Sequence, residues 1–120
     1  MNESLIIVGY IVKNELDELE KMKRGGIVYI ITNKSHRVLY TGVTSDLLSR
    51  IKKHRDKEFP NSFSARYNVY KLVYYRFFST IQEAIAEEKR IKGGNRKQKL
   101  RLIEGLNPDW NDLWDEIVEW

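Results

Sequence analysis

Glu88 is the residue whose position most strongly suggests chemistry. It follows Ile81, Ala84 and Ile85 at helical intervals, which places it on the apolar stripe of a predicted helix. A carboxylate that faces inward is unfavourable unless it is paired, hydrogen-bonded or bound to a metal. On spacing alone, an ion pair with Arg or Lys of the sheet explains it slightly better than a metal site. The adjacent Glu87 points elsewhere and is predicted to be solvated.

Arg50 and His54 are the next candidates, and they form a pair. They lie four residues apart on another predicted helix, so they project to one side of it. A guanidinium can bind two phosphate oxygens at once, and an imidazole can move a proton, so the pair suits phosphate chemistry. The same spacing is also common on an ordinary solvated helix face.

Tyr29 and Tyr40 lie in two predicted strands, where aromatic residues usually form core. A phenol contributes to phosphodiester cleavage only if its hydroxyl reaches the site and a cation lies nearby. Gly42 follows Tyr40 by two residues and is unusual inside a strand. It predicts a bulge, or the close approach of a ligand or another backbone.

A predicted hairpin and a helix position these candidates. Residues 27–32 are β-branched and aromatic and predict a strand buried on both faces, paired with a strand over 38–43. A helix is predicted for residues 46–56, with N-capping residues at its start. Residues 58–67 contain Pro, Asn and Ser and predict a loop. A long third strand is predicted for 69–78.

The second half of the chain is predicted to be mainly helical. Ser79 and Thr80 each have Gln or Glu three residues later, which predicts a capped helix that ends before Gly93-Gly94. A basic helix is predicted for 96–104, ended by Gly105, and a short acidic helix for 111–119. The predicted architecture is α+β, with a small, mainly antiparallel sheet covered by helices.

The charge of the chain is distributed unevenly. Its 120 residues carry a net charge of +4, but residues 21–105 hold 20 of the 21 Lys and Arg and only 7 of the 17 Asp and Glu. A basic body with acidic ends favours a polyanionic partner such as nucleic acid. The absence of cysteine excludes disulfides and thiolate metal sites. Apolar runs are too short to span a membrane and lack the features of a secretory signal, so the cytoplasm is the expected location.

Residues 1–24 are predicted to be an N-terminal extension of a domain over 25–120. Residues 5–12 are apolar and are compatible with a strand or a buried helix start, and 13–23 with a short helix. The extension is either an appendage before a functional start at Met22 or a segment that packs on the domain.

Several segments of the sequence are informative as an ordered set. The first is Gly26-Ile27-Val28-Tyr29, and the second is Tyr40-Thr41-Gly42. The third runs from Gly42 to Leu47 and is followed by Arg50 and His54.

The fourth segment is Glu83–Lys89, followed by Ile91-Lys92-Gly93, and the chain later contains Asn107-Pro108-Asp109-Trp110. Together these segments resemble the GIY-YIG nuclease superfamily over about residues 25–114, and above all its short stand-alone bacterial members. The chain is also similar to the catalytic domain of the excision-repair incision subunit. Thr41 stands where the family's second motif has Ile.

The resemblance implies a three-stranded, mainly antiparallel sheet flanked by helices, and a divalent cation, Mg²⁺ or Mn²⁺, held by Glu88. Tyr40 or Tyr29 would assist deprotonation of the attacking water. Arg50 would stabilise the phosphate charge, and His54 would support the nucleophile or proton transfer. A single cation can activate water and stabilise the leaving oxygen, and a preorganised Arg adds to that stabilisation.

The resemblance also implies DNA as the partner. Short members lack accessory DNA-binding domains, so weak affinity or an accessory protein for substrate targeting is expected. The family often carries an Asn shortly after the metal-binding helix, for which Asn95 and Asn107 are candidates. The candidate nucleic-acid-binding residues are Gly42, Lys89, Lys92, Arg96, Lys97 and Lys99.

Three functions are compatible with the sequence. The leading one is a metal-dependent endonuclease that cleaves DNA phosphodiesters, in DNA repair or in processing of structured DNA. The second is a non-catalytic nucleic-acid-binding module with the same fold. The third is an interaction protein that docks through Trp110, Trp114 and Trp120.

Overall fold

The structure is a computed structural model that describes residues 25–120. The expectations for 1–24, including the apolar run 5–12 and the helix 13–23, lie outside the described residues. Within 25–120 the chain forms three strands and five helices. These are β1 (Gly26–Thr32), β2 (Leu39–Thr44), α1 (Leu47–Arg55), α2 (Phe63–Arg66), β3 (Lys71–Phe78), α3 (Ile81–Lys92), α4 (Arg96–Leu106) and α5 (Trp114–Ile117). The predicted α+β class is confirmed.

The sheet is antiparallel with the order β2-β1-β3, so β1 is the central strand. All seven residues of β1 are buried, as its β-branched composition predicted. Tyr29 pairs with Gly42 of β2 and with Tyr75 of β3. The pairing with β3 shifts by one residue between Ile30 and Ile31.

Alternate residues of β1 belong to two separate cores, because successive side chains of a strand point to opposite faces. Ile27, Tyr29 and Ile31 pack on one face with Leu47 and Ile51 of α1. The opposite face is covered by α3 and α4. Its core contains Val28, Ile30, Val73, Tyr74, Ala84, Ile91 and Ile103.

Side-chain caps fix the starts of the three longer helices, α1, α3 and α4. Asp46 accepts a hydrogen bond from the Ser49 amide at the start of α1. Thr80, rather than Ser79, caps α3 by accepting from the Glu83 amide. These caps satisfy helix N–H groups that otherwise have no partner.

Four element predictions were imperfect. The predicted loop 58–67 contains α2, and β3 begins at Lys71 rather than at 69. Gly105 lies inside α4, which continues to Leu106, and the predicted acidic helix 111–119 is the single turn α5. Tertiary hydrogen bonds determine where α4 ends, because the Asn107 side chain donates to the backbone oxygens of Val73 and Asn111. Among residues 25–120, no helix is long and apolar enough to cross a bilayer.

Candidate active site

The β1–β2 hairpin holds both candidate tyrosines. The ring centroids of Tyr29 and Tyr40 are 6.5 Å apart. Tyr29 is 0% exposed, whereas Tyr40 is partly exposed and lines a cavity. A methyl group at Gly42, opposite Tyr29, would collide with the Tyr29 phenol. Gly42 therefore makes room for the Tyr29 side chain and not for the predicted bulge, ligand or backbone. The irregularity in the sheet lies elsewhere, between Ile30 and Ile31 of β1.

Helix α1 presents Arg50 and His54 to the Tyr29 hydroxyl. Leu47 and Ile51 are buried in the core and so fix the rotation of the helix. The His54 Nε2 atom is 2.9 Å from the Tyr29 oxygen, and the Arg50 Nε atom donates to the same oxygen at 3.4 Å. The predicted i, i+4 pair therefore converges on one buried phenol.

His54 is held by hydrogen bonds at both ring nitrogens. A guanidinium can only donate, so the Tyr29 oxygen accepts from Arg50, and the tautomer of His54 decides whether Nε2 accepts the Tyr29 proton or donates to the same oxygen. With Nε2 as the acceptor, the buried Tyr29 proton has a partner and the imidazole proton lies on Nδ1, 2.9 Å from the Ser64 hydroxyl oxygen. The ring is therefore anchored on both sides.

Burial and charge control protonation of the group. Burial, with a further contribution from the Arg50 charge, lowers the pKa of His54 to about 4. Burial raises the pKa of Tyr29 to about 12, against the lowering effect of Arg50. At neutral pH Tyr29 is a phenol and His54 is neutral, so Arg50 carries the only charge among these three residues.

Glu88 lies at the Tyr40 side of this group. Its side chain is 15% exposed, and its Oε2 atom is 3.3 Å from the Lys92 Nζ atom. The same Nζ atom lies 5.8 Å from the centre of the Tyr40 ring. The predicted ion pair of Glu88 exists, but its partner comes from the same helix and not from the sheet.

The prediction that Glu87 is solvated was wrong. Its side chain is 10% exposed and pairs with Arg90 at 2.6 Å and with Arg76 at 3.6 Å. The hydrogen bond from Arg90 lowers the pKa of Glu87. Ile85, predicted on the inward stripe, is instead 37% exposed. Helix α3 is rotated so that its buried line passes through Ala84 and Ile91, which leaves Ile85 at the solvent edge.

The residues present fit a divalent cation held by one carboxylate. Among the described residues, no group of three or more His, Cys, Asp or Glu could form a complete protein ligand set. Glu88 is a partly buried carboxylate beside a cluster of phosphate-binding type. Mg²⁺ prefers oxygen ligands and usually keeps several waters, with one or two carboxylates and substrate phosphates completing its shell.

Two cavities meet at Tyr40 and Phe63. The first has a volume of about 110 Å³, and its wall includes Arg50 and His54. Lys53, Lys57, Phe59, Ser62 and Ser64 complete that wall. The second has a volume of about 340 Å³, and its wall includes Lys92 and Lys99.

The loop residues of the first cavity were not identified from the sequence. Ser64 is 5% exposed and bonds to His54, yet a serine in a polar loop carries no distinguishing signal. The aromatic residues Phe59 and Phe63 inside a predicted loop were a usable signal, since loops rarely need such side chains.

The predicted nucleic-acid-binding residues are only partly brought together. Lys92 and Lys99 line the second cavity, whereas Lys89 and Lys97 are exposed and line neither of these two cavities. Arg96 donates to the backbone oxygens of residues 36 and 37 and so anchors the hairpin turn.

Both candidate asparagines have structural roles. Asn95 caps α4 in a reciprocal arrangement with Gln98, and Asn107 bonds to the backbone of β3 and of residue 111.

Comparison with known proteins identifies the family. A UPF0213 protein of Clostridium perfringens is 42% identical over 80 residues, covering 63% of this chain and 80% of the relative. A UPF0213 protein of Staphylococcus haemolyticus is 39% identical over 77 residues, covering 64% of this chain and 92% of the relative. The solution NMR structure of the UPF0213 protein from Bacillus halodurans is 29% identical, covers 72% of this chain and 90% of that one, and gives a TM-score of 0.46. The family model of the GIY-YIG catalytic domain matches residues 25–101, and the chain therefore belongs to the GIY-YIG family of nuclease-type domains.

Proposed function

We propose that this protein is an endonuclease that hydrolyses DNA phosphodiester bonds with Mg²⁺ or Mn²⁺, in DNA repair or in processing of structured DNA. The observation that carries the proposal is the convergence of Arg50 and His54 on the Tyr29 hydroxyl, beside a cavity wall that contains Tyr40. Glu88 lies on the Tyr40 side of the same group. This arrangement combines a fixed guanidinium and a neutral imidazole at one opening, with a carboxylate that is connected to Tyr40 through Lys92.

Arg50 would bind the phosphate and stabilise the charge that develops on it, because its guanidinium is already oriented by Tyr29. His54 lines the cavity in its neutral form and would support the nucleophile or proton transfer. Tyr40 would orient the attacking water at the cavity wall. Tyr29 is fully buried, so it would act as a positioning residue for Arg50 and His54.

Glu88 would hold the cation together with water and phosphate oxygens. When bound, a divalent cation supplies stabilisation of charge on the phosphate and on the leaving oxygen. Lys92 would then turn from the Glu88 carboxylate toward the DNA backbone, since the cation replaces it as the neutralising charge. Lys92 is half-exposed and has room to do so.

A cleavage assay with a matched pair of carboxylate variants tests this function. Labelled single-stranded, duplex, flap and four-way-junction DNA, with RNA as a comparison, is incubated with Mg²⁺ or Mn²⁺. We expect metal-dependent cleavage that is lost in Glu88→Ala and retained in Glu104→Ala, which changes an exposed carboxylate of α4. Cleavage that survives in Glu88→Ala would contradict the assigned role of this carboxylate.

The alternative function is a nucleic-acid-binding module that does not cleave. It is favoured by the Glu88–Lys92 pair, in which the lysine neutralises the carboxylate without a metal ion. This alternative would be supported if the unmodified protein binds DNA in a salt-sensitive way but cleaves none of the substrates above with either metal. Activity that appears only with an added protein fraction would instead indicate an accessory partner for substrate targeting.

A further inference from the structure

Three aromatic rings form a row that starts at the wall of the first cavity, to which Tyr40 and Phe63 belong, and continues to Tyr67 outside that cavity. Phe63 lies between Tyr40, at a centroid distance of 6.0 Å, and Tyr67, at 4.7 Å. Phe63 is 47% exposed and Tyr67 is 49% exposed. Large exposed apolar side chains grouped at a cavity commonly mark a binding surface. We call the exposed faces of Phe63 and Tyr67 the aromatic platform.

The platform is held in place by the loop that carries it. The loop begins and ends at Lys57 and Asn68, which both have left-handed backbone conformations, with φ of 51° and 54°. Their side chains are joined by a hydrogen bond of 2.5 Å. Ser62 caps α2, and Ser64 bonds to His54. The platform is therefore preorganised and connected directly to the candidate active site.

Positive charge lies on both sides of the platform. Lys53 and Lys57 line the first cavity, and Lys92 and Lys99 line the second, while Phe63 and Tyr40 belong to both. Among the described residues, no carboxylate forms part of either wall. A groove with cations along it and aromatic rings in the middle is complementary to one nucleic-acid strand, because cations meet phosphates and rings meet bases.

We propose that Phe63 stacks on an unpaired base next to the scissile phosphate, so that the protein prefers DNA in which this nucleotide is unpaired. The inference rests on the proposed function and adds a substrate class to it. A base inside a duplex is covered on both faces by its neighbours, and it must leave the stack before it can contact the ring. Unpaired strands, flaps and junction arms present such a base without that cost.

The first test uses Phe63→Leu, which removes the ring but keeps an apolar side chain at the start of α2. Phe77→Leu is the control, since Phe77 is 52% exposed and belongs to neither cavity. We expect Phe63→Leu to reduce cleavage of unpaired DNA roughly 10- to 100-fold and to change duplex cleavage much less. Phe77→Leu should leave both rates unchanged, and Phe63→Trp should retain the preference. Equal losses on paired and unpaired substrates would overturn the proposal.

Removal of the base gives the complementary result. An abasic position beside the cut should slow the unmodified protein by the same factor as Phe63→Leu. It should slow Phe63→Leu no further, because the two changes remove the same contact. Additive losses would mean that the base and the ring do not touch, and would overturn the proposal.

A binding measurement separates this inference from the proposed function. A single-stranded DNA oligonucleotide containing 2-aminopurine is added to Glu88→Ala protein without metal, so that no cleavage can occur. Quenching of the probe that disappears in the Glu88→Ala, Phe63→Leu double variant supports stacking, even if the unmodified protein proves unable to cleave. Absence of quenching, or quenching that persists in the double variant, would show that Phe63 does not stack on a base, even if cleavage is demonstrated.

Other occupants give different results. Stronger quenching by the matching RNA oligonucleotide than by DNA would overturn the assignment to DNA. Self-association of the protein that is lost in Phe63→Leu would show that the ring contacts a second copy of this chain, and would overturn the proposal as well.

Discussion

The neutral state of His54 links the site to the stability of the fold. Its pKa is about 4 in the folded protein, compared with 6.5 for an unperturbed imidazole. Tyr29, Arg50, Ser64 and the Tyr40 ring surround it. Between these two pH values the unfolded chain binds more protons than the folded one, so stability falls as the pH falls. The stability due to neutral His54 is complete above about pH 6.5 and is lost as the pH approaches 4.

We expect this loss to reach about 1 kcal/mol by pH 5, which includes a reduction for the partial exposure of the ring. The measurement is urea-induced unfolding at pH 7.5 and pH 5 for the unmodified protein and for His54→Gln. Carboxylates contribute equally to both proteins, so the difference between their pH slopes isolates His54. Identical slopes would show that His54 is not held neutral.

The buried hydroxyl of Tyr29 should matter for turnover more than for substrate binding. Tyr29→Phe keeps the ring in the core but removes the oxygen shared by Arg50 and His54. We expect a kcat that is roughly 10- to 100-fold lower with a similar KM, because the two groups lose their common anchor. The Arg50 Nε and His54 Nε2 atoms lose the oxygen that they share. We expect this loss to lower the free energy of unfolding by about 1–2 kcal/mol. Steady-state kinetics and urea-induced unfolding measure these effects.

Tyr75→Phe is the matched control for Tyr29→Phe. It also removes a tyrosine hydroxyl from a hydrogen bond, in this case one to Glu116 outside the site. Its kcat should equal that of the unmodified protein. A Tyr29→Phe variant with unchanged kcat would show that the buried phenol has no part in positioning the site.

At the scale of elements, the strongest local signals predicted the structure correctly. The β-branched run of β1 and the Thr80–Glu83 cap of α3 are set by adjacent residues, so the sequence contains the necessary information. The i, i+4 spacing likewise placed Arg50 and His54 on one side of α1. Tyr29 and Tyr40 came together because the predicted hairpin exists.

The errors concern features that long-range contacts determine. The rotation of α3 on the sheet decides that the Glu87 side chain is largely covered and that Ile85 is exposed, and helical periodicity alone allowed the opposite. The turn α2 is stabilised by a Ser62 cap and by the bond between Ser64 and His54, which is ten residues away. The sequence does not reveal that these residues meet.

Two glycines provide a test of the hairpin geometry. Gly42→Ala would push a methyl group into the Tyr29 phenol, whereas a methyl group at Gly105 meets nothing within 4 Å. We expect Gly42→Ala to destabilise the fold by about 1–3 kcal/mol and to reduce cleavage, because the phenol must move away from Arg50 and His54. Gly105→Ala lies in α4 and should be neutral or stabilising by up to about 1 kcal/mol. Thermal unfolding and cleavage assays measure both changes, and equal stability of the two variants would refute the predicted clash.

At the scale of the whole molecule, the acidic C-terminal segment contributes to internal contacts rather than neutralising the groove. Asp112 binds Arg55 at 2.8 Å, and Arg55 lies over the Tyr70 and Trp114 rings. Glu116 accepts a hydrogen bond from Tyr75. The C-terminal carboxylates described here therefore leave Lys53, Lys57 and Lys99 of the cavity walls available for phosphate groups, whereas Lys92 is paired with Glu88.

DNA affinity should consequently depend strongly on salt, because each Lys–phosphate contact releases condensed counterions. Lys53 and Lys99 line opposite sides of the platform, so replacing either with Ala should weaken binding and lower the slope of log affinity against log salt by about one. Fluorescence anisotropy from about 50 to 200 mM salt measures the slope. The same titration of Lys89→Ala and Lys97→Ala tests the wider basic surface predicted from the sequence. A slope reduced by Lys97→Ala but unchanged by Lys53→Ala and Lys99→Ala would move the DNA path from the cavities to α4, and it would remove the reason for placing a strand across Phe63.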